Sequence, residues 1–246
     1  MEQLAILAAG LAAGAVNTVV GSGTLITFPV LLATGLPPVT ATVSNALGLV
    51  PGSISGALGY RAELAGQGRR IRGLAVGALI GAVTGALLLL TLPASAFEMI
   101  VPALVGLAVV LVLIQPWLVR TVRRHGAAQR EGGPLLFTGM TLASVYGGYF
   151  SAGQGIVYVA LMGMLLDEPL KRLIAVKNVL VAVVNAVAAT VFLFVADFDW
   201  EAVLLIAAGS ALGGRIGAAV GRRLSQGVLR GLVVVIGTVS LVQVLR

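Results

Sequence analysis

The chain has 246 residues, of which 59% are hydrophobic and only 10% charged, and its mean hydropathy is +1.06. A soluble domain carries roughly a quarter of its residues as charges, so a water-soluble globule is excluded. The net charge of +7 does not point to nucleic acid, because the arginines cluster in short gaps between apolar runs, where cytoplasmic loops hold them.

No Asp, Glu, Lys or Arg occurs in 4–60, 73–97, 99–119, 132–166, 178–196, 202–214 or 231–245. Several of these runs exceed the roughly 20 apolar residues that cross a bilayer as a helix. Met1-Glu2-Gln3 lacks the basic start of a cleaved signal, so the first segment is expected to stay in the mature chain. Helices are predicted over 4–20, 24–34, 38–60, 73–92, 97–119, 134–150, 156–166, 171–196, 201–221 and 226–245. The segments 24–34 and 156–166 are too short to span alone. Each follows a glycine-rich break, Gly21-Ser22-Gly23-Thr24 in the first case and Ser151-Ala152-Gly153-Gln154-Gly155 in the second. Arg120, Arg123, Arg124 and Arg130 mark 120–133 as a basic cytoplasmic linker between a first membrane repeat, 1–119, and a second, 134–246.

An offset of 132 residues superposes Gly21 on Gly153, Gly23 on Gly155, Pro37 on Pro169, and Gly77, Gly81 and Gly85 on Gly209, Gly213 and Gly217. With one inserted residue, Ser44-Asn45 falls on Lys177-Asn178. The charges flanking the two glycine ladders are reversed. Arg61, Arg69, Arg70 and Arg72 precede the first, with Glu98 after it; Asp197, Asp199 and Glu201 precede the second, with Arg222, Arg223 and Arg230 after it. Equivalent loops then lie on opposite sides of the membrane by the positive-inside rule. The expected fold is therefore all-α, polytopic and integral to the membrane, built from two inverted-topology repeats. Each repeat is a glycine-broken helical segment, in the simplest count a re-entrant hairpin, followed by about three transmembrane helices.

Non-helical backbone at membrane depth must be buried in protein or line a wet cavity. A helix restarted after such a break presents free N–H groups and partial positive charge to an anion. Gly21, Ser22, Gly23 and Thr24, facing Gly153, Gln154 and Gly155, are thus candidate substrate-binding residues. Tight helix crossing is the competing role for the glycines. Asn45 and Asn178 join the set as repeat mates in apolar helices, with interhelical hydrogen bonding as their alternative. Lys177 is an intramembrane cation, a functional candidate by default, although a lysine stem also snorkels to an interface from that depth. Asn17 and Asn185 are weaker candidates. Tyr146, Tyr149 and Tyr158 fit either a vestibule or an interfacial belt. The four-spaced glycine ladders are packing faces, within a protomer or between protomers of a homo-oligomer.

All nine acidic residues fall at predicted ends or loops, so no carboxylate is placed for a proton relay. The chain has no cysteine and a single His125 in an arginine-rich gap. No metal centre, cofactor, nucleotide-binding loop or nucleophile–base pair is expected, and so no enzyme.

The stretch from Gly14 through Gly23-Thr24 to Pro29, with Pro37-Pro38 and Val43-Ser44-Asn45, resembles the opening motif of the sulfite exporter TauE/SafE family. Gly147-Gly148, Gly153-Gln154-Gly155, Pro169 and Lys177-Asn178 are similar to its second motif, and the resemblance covers essentially the whole chain. It implies a multi-pass protein of the bacterial inner membrane that exports sulfite, a small organosulfonate or a related sulfur-containing anion. The first break is leaner in glycine than the family's usual run. Besides lipid, the expected partner is a small anionic substrate. A carrier and an anion-selective channel both fit the resemblance and differ in whether flux saturates.

Overall fold

The computed structural model describes residues 1–124 and 133–220. Every regular element in them is helical. The first half contributes α1 (Glu2–Val19), α2 (Thr24–Ala33), α3 (Pro38–Gly48), α4 (Val50–Gly59), a 3-10 turn at Arg61–Leu64, α5 (Gly68–Thr91) and α6 (Ala94–Arg124). The second contributes α7 (Gly133–Tyr149), α8 (Gln154–Leu165), α9 (Leu170–Phe192) and α10 (Trp200–Val220). The predicted helix 226–245, most of the linker with His125 and Arg130, and Arg222, Arg223 and Arg230 lie outside the described residues.

Two boundaries depart from expectation. The segment 38–60 divides at Leu49 because Pro51 lies in the first turn of α4, where its missing N–H cannot bond back to the preceding turn. Helix α6 runs on to Arg124, through residues assigned to the linker. Apolarity marks the limit of a span, whereas arginine is a good helix former and carries the helix past it.

Among the described residues, five helices are long and apolar enough to cross a membrane: α1, α5, residues 95–114 of α6, α9 and α10. Their outward faces carry Leu79, Ile80 and Leu87 on α5, Leu107, Val110 and Leu113 on α6, and Leu204, Leu212 and Ile216 on α10, all exposed. So much contiguous apolar surface would drive association in water and is what lipid requires. Inside, Phe, Leu, Ile and Val fill the core, and two of the helix contacts are built on small residues. Helix α10 lies along α1, where a Cβ on Gly213 would stand 2.0 Å from the Leu11 carbonyl oxygen. Helix α5 lies along α7, where a Cβ on Gly85 would stand 2.1 Å from the Val145 carbonyl oxygen. Both glycine ladders are therefore packing faces inside the chain, and close backbone approach replaces the hydrophobic effect that lipid cannot supply. Helix α9 runs through the middle, against α3, α4, α5, α7 and α8, and carries the candidate site.

Candidate functional site

The helices before the two breaks, α1 and α7, end in the same way. In α1, Val20 and Gly21 both donate to the Val16 carbonyl, and Gly21 turns left-handed at φ +90°. In α7, Phe150 and Ser151 both donate to the Tyr146 carbonyl, and Ser151 is left-handed at φ +70°. In each case one carbonyl takes two successive N–H groups, and the left-handed residue that supplies the second turns the chain out of the helix. The chain then restarts as α2 and α8.

The two breaks touch. The Gly155 N–H donates to the Gly21 carbonyl at 3.1 Å, and a Cβ on either glycine would lie 2.6 Å from the other's Cα. Only two residues without side chains can meet this closely. One of the helix-start donors expected to face an anion is thus held by the opposite break. Lys177 lies against the same point, with its Cδ 2.8 Å from where a Gly155 Cβ would be.

Lys177 does not snorkel. It is fully buried, and it is the only charged side chain buried among the described residues. Its Nζ donates to the carbonyls of Asn17, at 2.6 Å, and Thr18, at 3.0 Å. These carbonyls are available because α1 stops there, and the negative end of that helix offsets the buried ammonium. No carboxylate pairs with Lys177 among the described residues. An ammonium so placed keeps one N–H beyond the two it has spent.

The other candidates divide into satisfied and unsatisfied groups. Asn45 donates to the Thr24 hydroxyl at 3.1 Å and accepts from Thr27, closing a buried triad between α2 and α3. Gln154 folds back over Gly147 and donates to the Tyr158 hydroxyl at 2.7 Å, which in turn pairs with Ser144 at 2.5 Å. Tyr158 is fully buried and belongs to the core, not to an interfacial belt. The Ser22 hydroxyl, the Asn178 Nδ2 and the Gln154 Oε1 are buried with no partner among the described residues. Gly23 packs against the Ala13 carbonyl and Asn17 on α1, and Gly153 packs against Ala108 on α6. Neither meets the other break. Asn17 donates to Ser53 at 3.2 Å.

Thr27, Thr18 and Ser144 were missed from the sequence. The spacing of Thr24 and Thr27 puts both hydroxyls on one face of α2, a signal that was legible. The carbonyls of Asn17 and Thr18 carry no side-chain signature at all.

Two surface cavities differ in charge. One, of about 570 Å³, is lined by Met1, Gly35, Asp199 and Glu201, among others. The other, of about 490 Å³, is lined by Gly133, Leu136, Arg69, Arg70, Glu168 and Arg172, among others. There Arg70 and Arg172 both pair with Glu168 at 2.9 Å. Partial burial pushes the Glu168 carboxyl up, but hydrogen bonds from Arg70, Gln67 and Arg172 outweigh it and hold the carboxyl below its ordinary range.

The model of the family "Sulfite exporter TauE/SafE" matches residues 6–244. The chain belongs to the TauE/SafE family. Other sequences similar to this TauE/SafE chain carry the same general description. A probable membrane transporter protein of Haemophilus influenzae is 28% identical, over 96% of this chain and 91% of that protein. The probable membrane transporter protein YfcA of Escherichia coli K12 is 25% identical, over 92% of this chain and 83% of its own length. The probable membrane transporter protein ORF9 of a Sinorhizobium species is 26% identical, over 98% and 91% respectively. No solved structure matches this chain. Membership and multiple apolar helices together make this TauE/SafE protein a multi-pass membrane transporter.

Proposed function

We propose that this TauE/SafE protein is a secondary transporter that exports a small anion from cytoplasm to periplasm across a bacterial inner membrane. The cargo is sulfite, a small organosulfonate or a related sulfur-containing anion. The observation that carries this reading is Lys177. A fully buried ammonium without a carboxylate is costly in a membrane protein, and a transient anionic partner accounts for it. The unpaired donors of Ser22 and Asn178 add neutral hydrogen bonds to replace the anion's hydration. The substrate competes for groups that the empty protein satisfies internally. It draws the ammonium from the Asn17 and Thr18 carbonyls and parts the Gly155–Gly21 contact.

The architecture supports alternating access by inverted repeats. Met1 and Gly35, at the two ends of the first hairpin, line one mouth. Gly133 and Glu168, at the two ends of the second, line the other. In this reading each broken segment returns to the side from which it entered. The offset of 132 residues carries Met1 onto Gly133, Asp199 onto Gln67 and Glu201 onto Arg69, so one mouth is the repeat image of the other with the charge reversed. A basic cytoplasmic mouth raises the local concentration of anions for capture, and an acidic outer mouth hastens their departure. No described acidic residue is buried, in keeping with drive by the anion gradient or by membrane potential, about 2.3 kcal/mol per charge per 100 mV.

The test is flux of sulfite and small sulfonates from proteoliposomes, with and without an imposed potential. Saturable, potential-sensitive flux that falls at least tenfold in both Lys177→Ala and Lys177→Met is expected. Flux that rises without saturation would replace the carrier by an anion-selective channel. Absence of flux for every sulfur anion by folded wild-type protein would overturn the substrate class.

A further inference from the structure

The helices before the two breaks stop alike, but one uses glycine at the left-handed position and the other uses serine. Gly21 and Ser151 both donate their N–H to a carbonyl five residues back, at φ +90° and +70°. A side chain is disfavoured in that backbone region and glycine is not. Ser151 is the one non-glycine residue with positive φ among the described residues. Its hydroxyl gives the reason. Ser151 Oγ donates to Asn185 Oδ1 at 3.2 Å, which fixes the amide plane and turns Nδ2 away from the serine. That Nδ2 is buried, on a residue 1% exposed, and has no partner among the described residues.

Asn185 shares a face of α9 with Asn178, whose Nδ2 is also unpaired. Seven residues separate them, about 10 Å of helix rise. The helix runs from the basic mouth at Arg172 toward Asp199 and the acidic mouth, so Asn185 lies on the outer side of Asn178. Donors without acceptors at both positions suit a ligand that brings lone pairs. What Asn185 leaves free is an N–H donor, which favours an anion over a cation.

We propose that Asn185, aimed by Ser151, is a second oxyanion-binding station, occupied after the anion leaves Lys177 and Asn178 and before it reaches the acidic mouth. This rests on the export reading above. Ser151 is a positioning residue: its hydroxyl holds the amide, and the amide contacts the anion. The strained serine is retained at a position where glycine would be more comfortable because the station needs the hydroxyl.

Sulfite transport by the full chain in right-side-out and in inside-out membrane vesicles reads the two faces separately. In Asn185→Leu the half-saturating sulfite concentration at the outer face should rise at least tenfold, with the inner-face value within about twofold of wild type. Ser151→Gly should show the same one-sided rise while its thermal unfolding midpoint equals or exceeds that of wild type. A serine with only a structural role would not give that combination. If wild type carries neither sulfite nor a small sulfonate from either face, the sulfur-anion reading falls and the station with it. If wild type is saturable at both faces and neither variant moves the outer value, the amide holds only a resident water, and the station alone is overturned. Equal shifts at both faces, or a sodium requirement that weakens in Asn185→Leu, would likewise overturn it.

Discussion

The first and second breaks are built on one backbone plan and differ in what their polar side chains have left to give. Around the first, Asn45 spends both ends of its amide on Thr24 and Thr27. Around the second, Asn178 and Asn185 each keep an amide nitrogen unpaired. A fully satisfied buried network rigidifies its surroundings, whereas an unpaired donor in a low-dielectric interior is costly until a ligand or water meets it. The asparagine at the first break is thus a satisfied strut, while those around the second keep donors to spare; at the first break the Ser22 hydroxyl alone of the candidate side chains does so, and Lys177 reaches from the second half to the end of α1.

The contact between the breaks offers the harshest way to break this comparison. A methyl on Gly21 would press on Gly155 Cα at 2.6 Å and also occupy a left-handed backbone. Overpacking costs about 1–3 kcal/mol and the backbone about 1–2 more. Gly155→Ala meets the same wall without a positive φ. Both variants should lose sulfite flux, and Gly21→Ala should unfold at the lower temperature in detergent. A wild-type midpoint in Gly21→Ala would mean that the breaks do not bear on each other as described.

Exchanging the two asparagines sharpens the contrast at smaller amplitude. Asn45→Leu strands the Thr24 hydroxyl, at about 1–3 kcal/mol for a buried group left unpaired, and leaves Thr27 only its long bond to the Gly23 carbonyl, so its main effect should be on thermal stability. Asn178→Leu removes an amide whose nitrogen has no partner. Its midpoint should hold within a few degrees of wild type while sulfite flux falls about tenfold. Equal stability losses in the two variants would erase the distinction between scaffold and site.

The sequence disclosed the all-helical membrane class, the positions of both breaks and the internal role open to the glycine ladders, because each is written in local composition or spacing. It also singled out Lys177, but not its environment. Whether that lysine snorkels or is buried depends on where α1 ends in space, and its partners are main-chain oxygens that any residues at positions 17 and 18 would supply. The difference between Asn45 and Asn178 was invisible for a similar reason. Their helical settings read alike, and only the threonines that α2 brings across separate them. The split at Leu49 was legible from Pro51, and the long end of α6 was not, since hydropathy falls where the helix continues.

The smallest expected effect concerns the mouths. Asp199 uses its carboxylate on the Ala202 N–H at 2.8 Å, within the start of α10. Glu168 instead joins Arg70 of α5 to Arg172 of α9, tying the two halves of the molecule at the basic mouth. The folded protein holds the Glu168 carboxyl below its ordinary value, near 4.5. The stabilisation is therefore fully present above that value and is lost as pH falls through the lower, folded one. A partly exposed ion pair contributes about 0.2–1 kcal/mol. Glu168→Gln should thus lower the unfolding midpoint by a few degrees at most at pH 7, and the gap to wild type should close as the pH drops below about 4. A gap that persists in acid would assign the contribution of Glu168 to packing and hydrogen bonding, leaving the ion pairs without a measurable role in joining the halves.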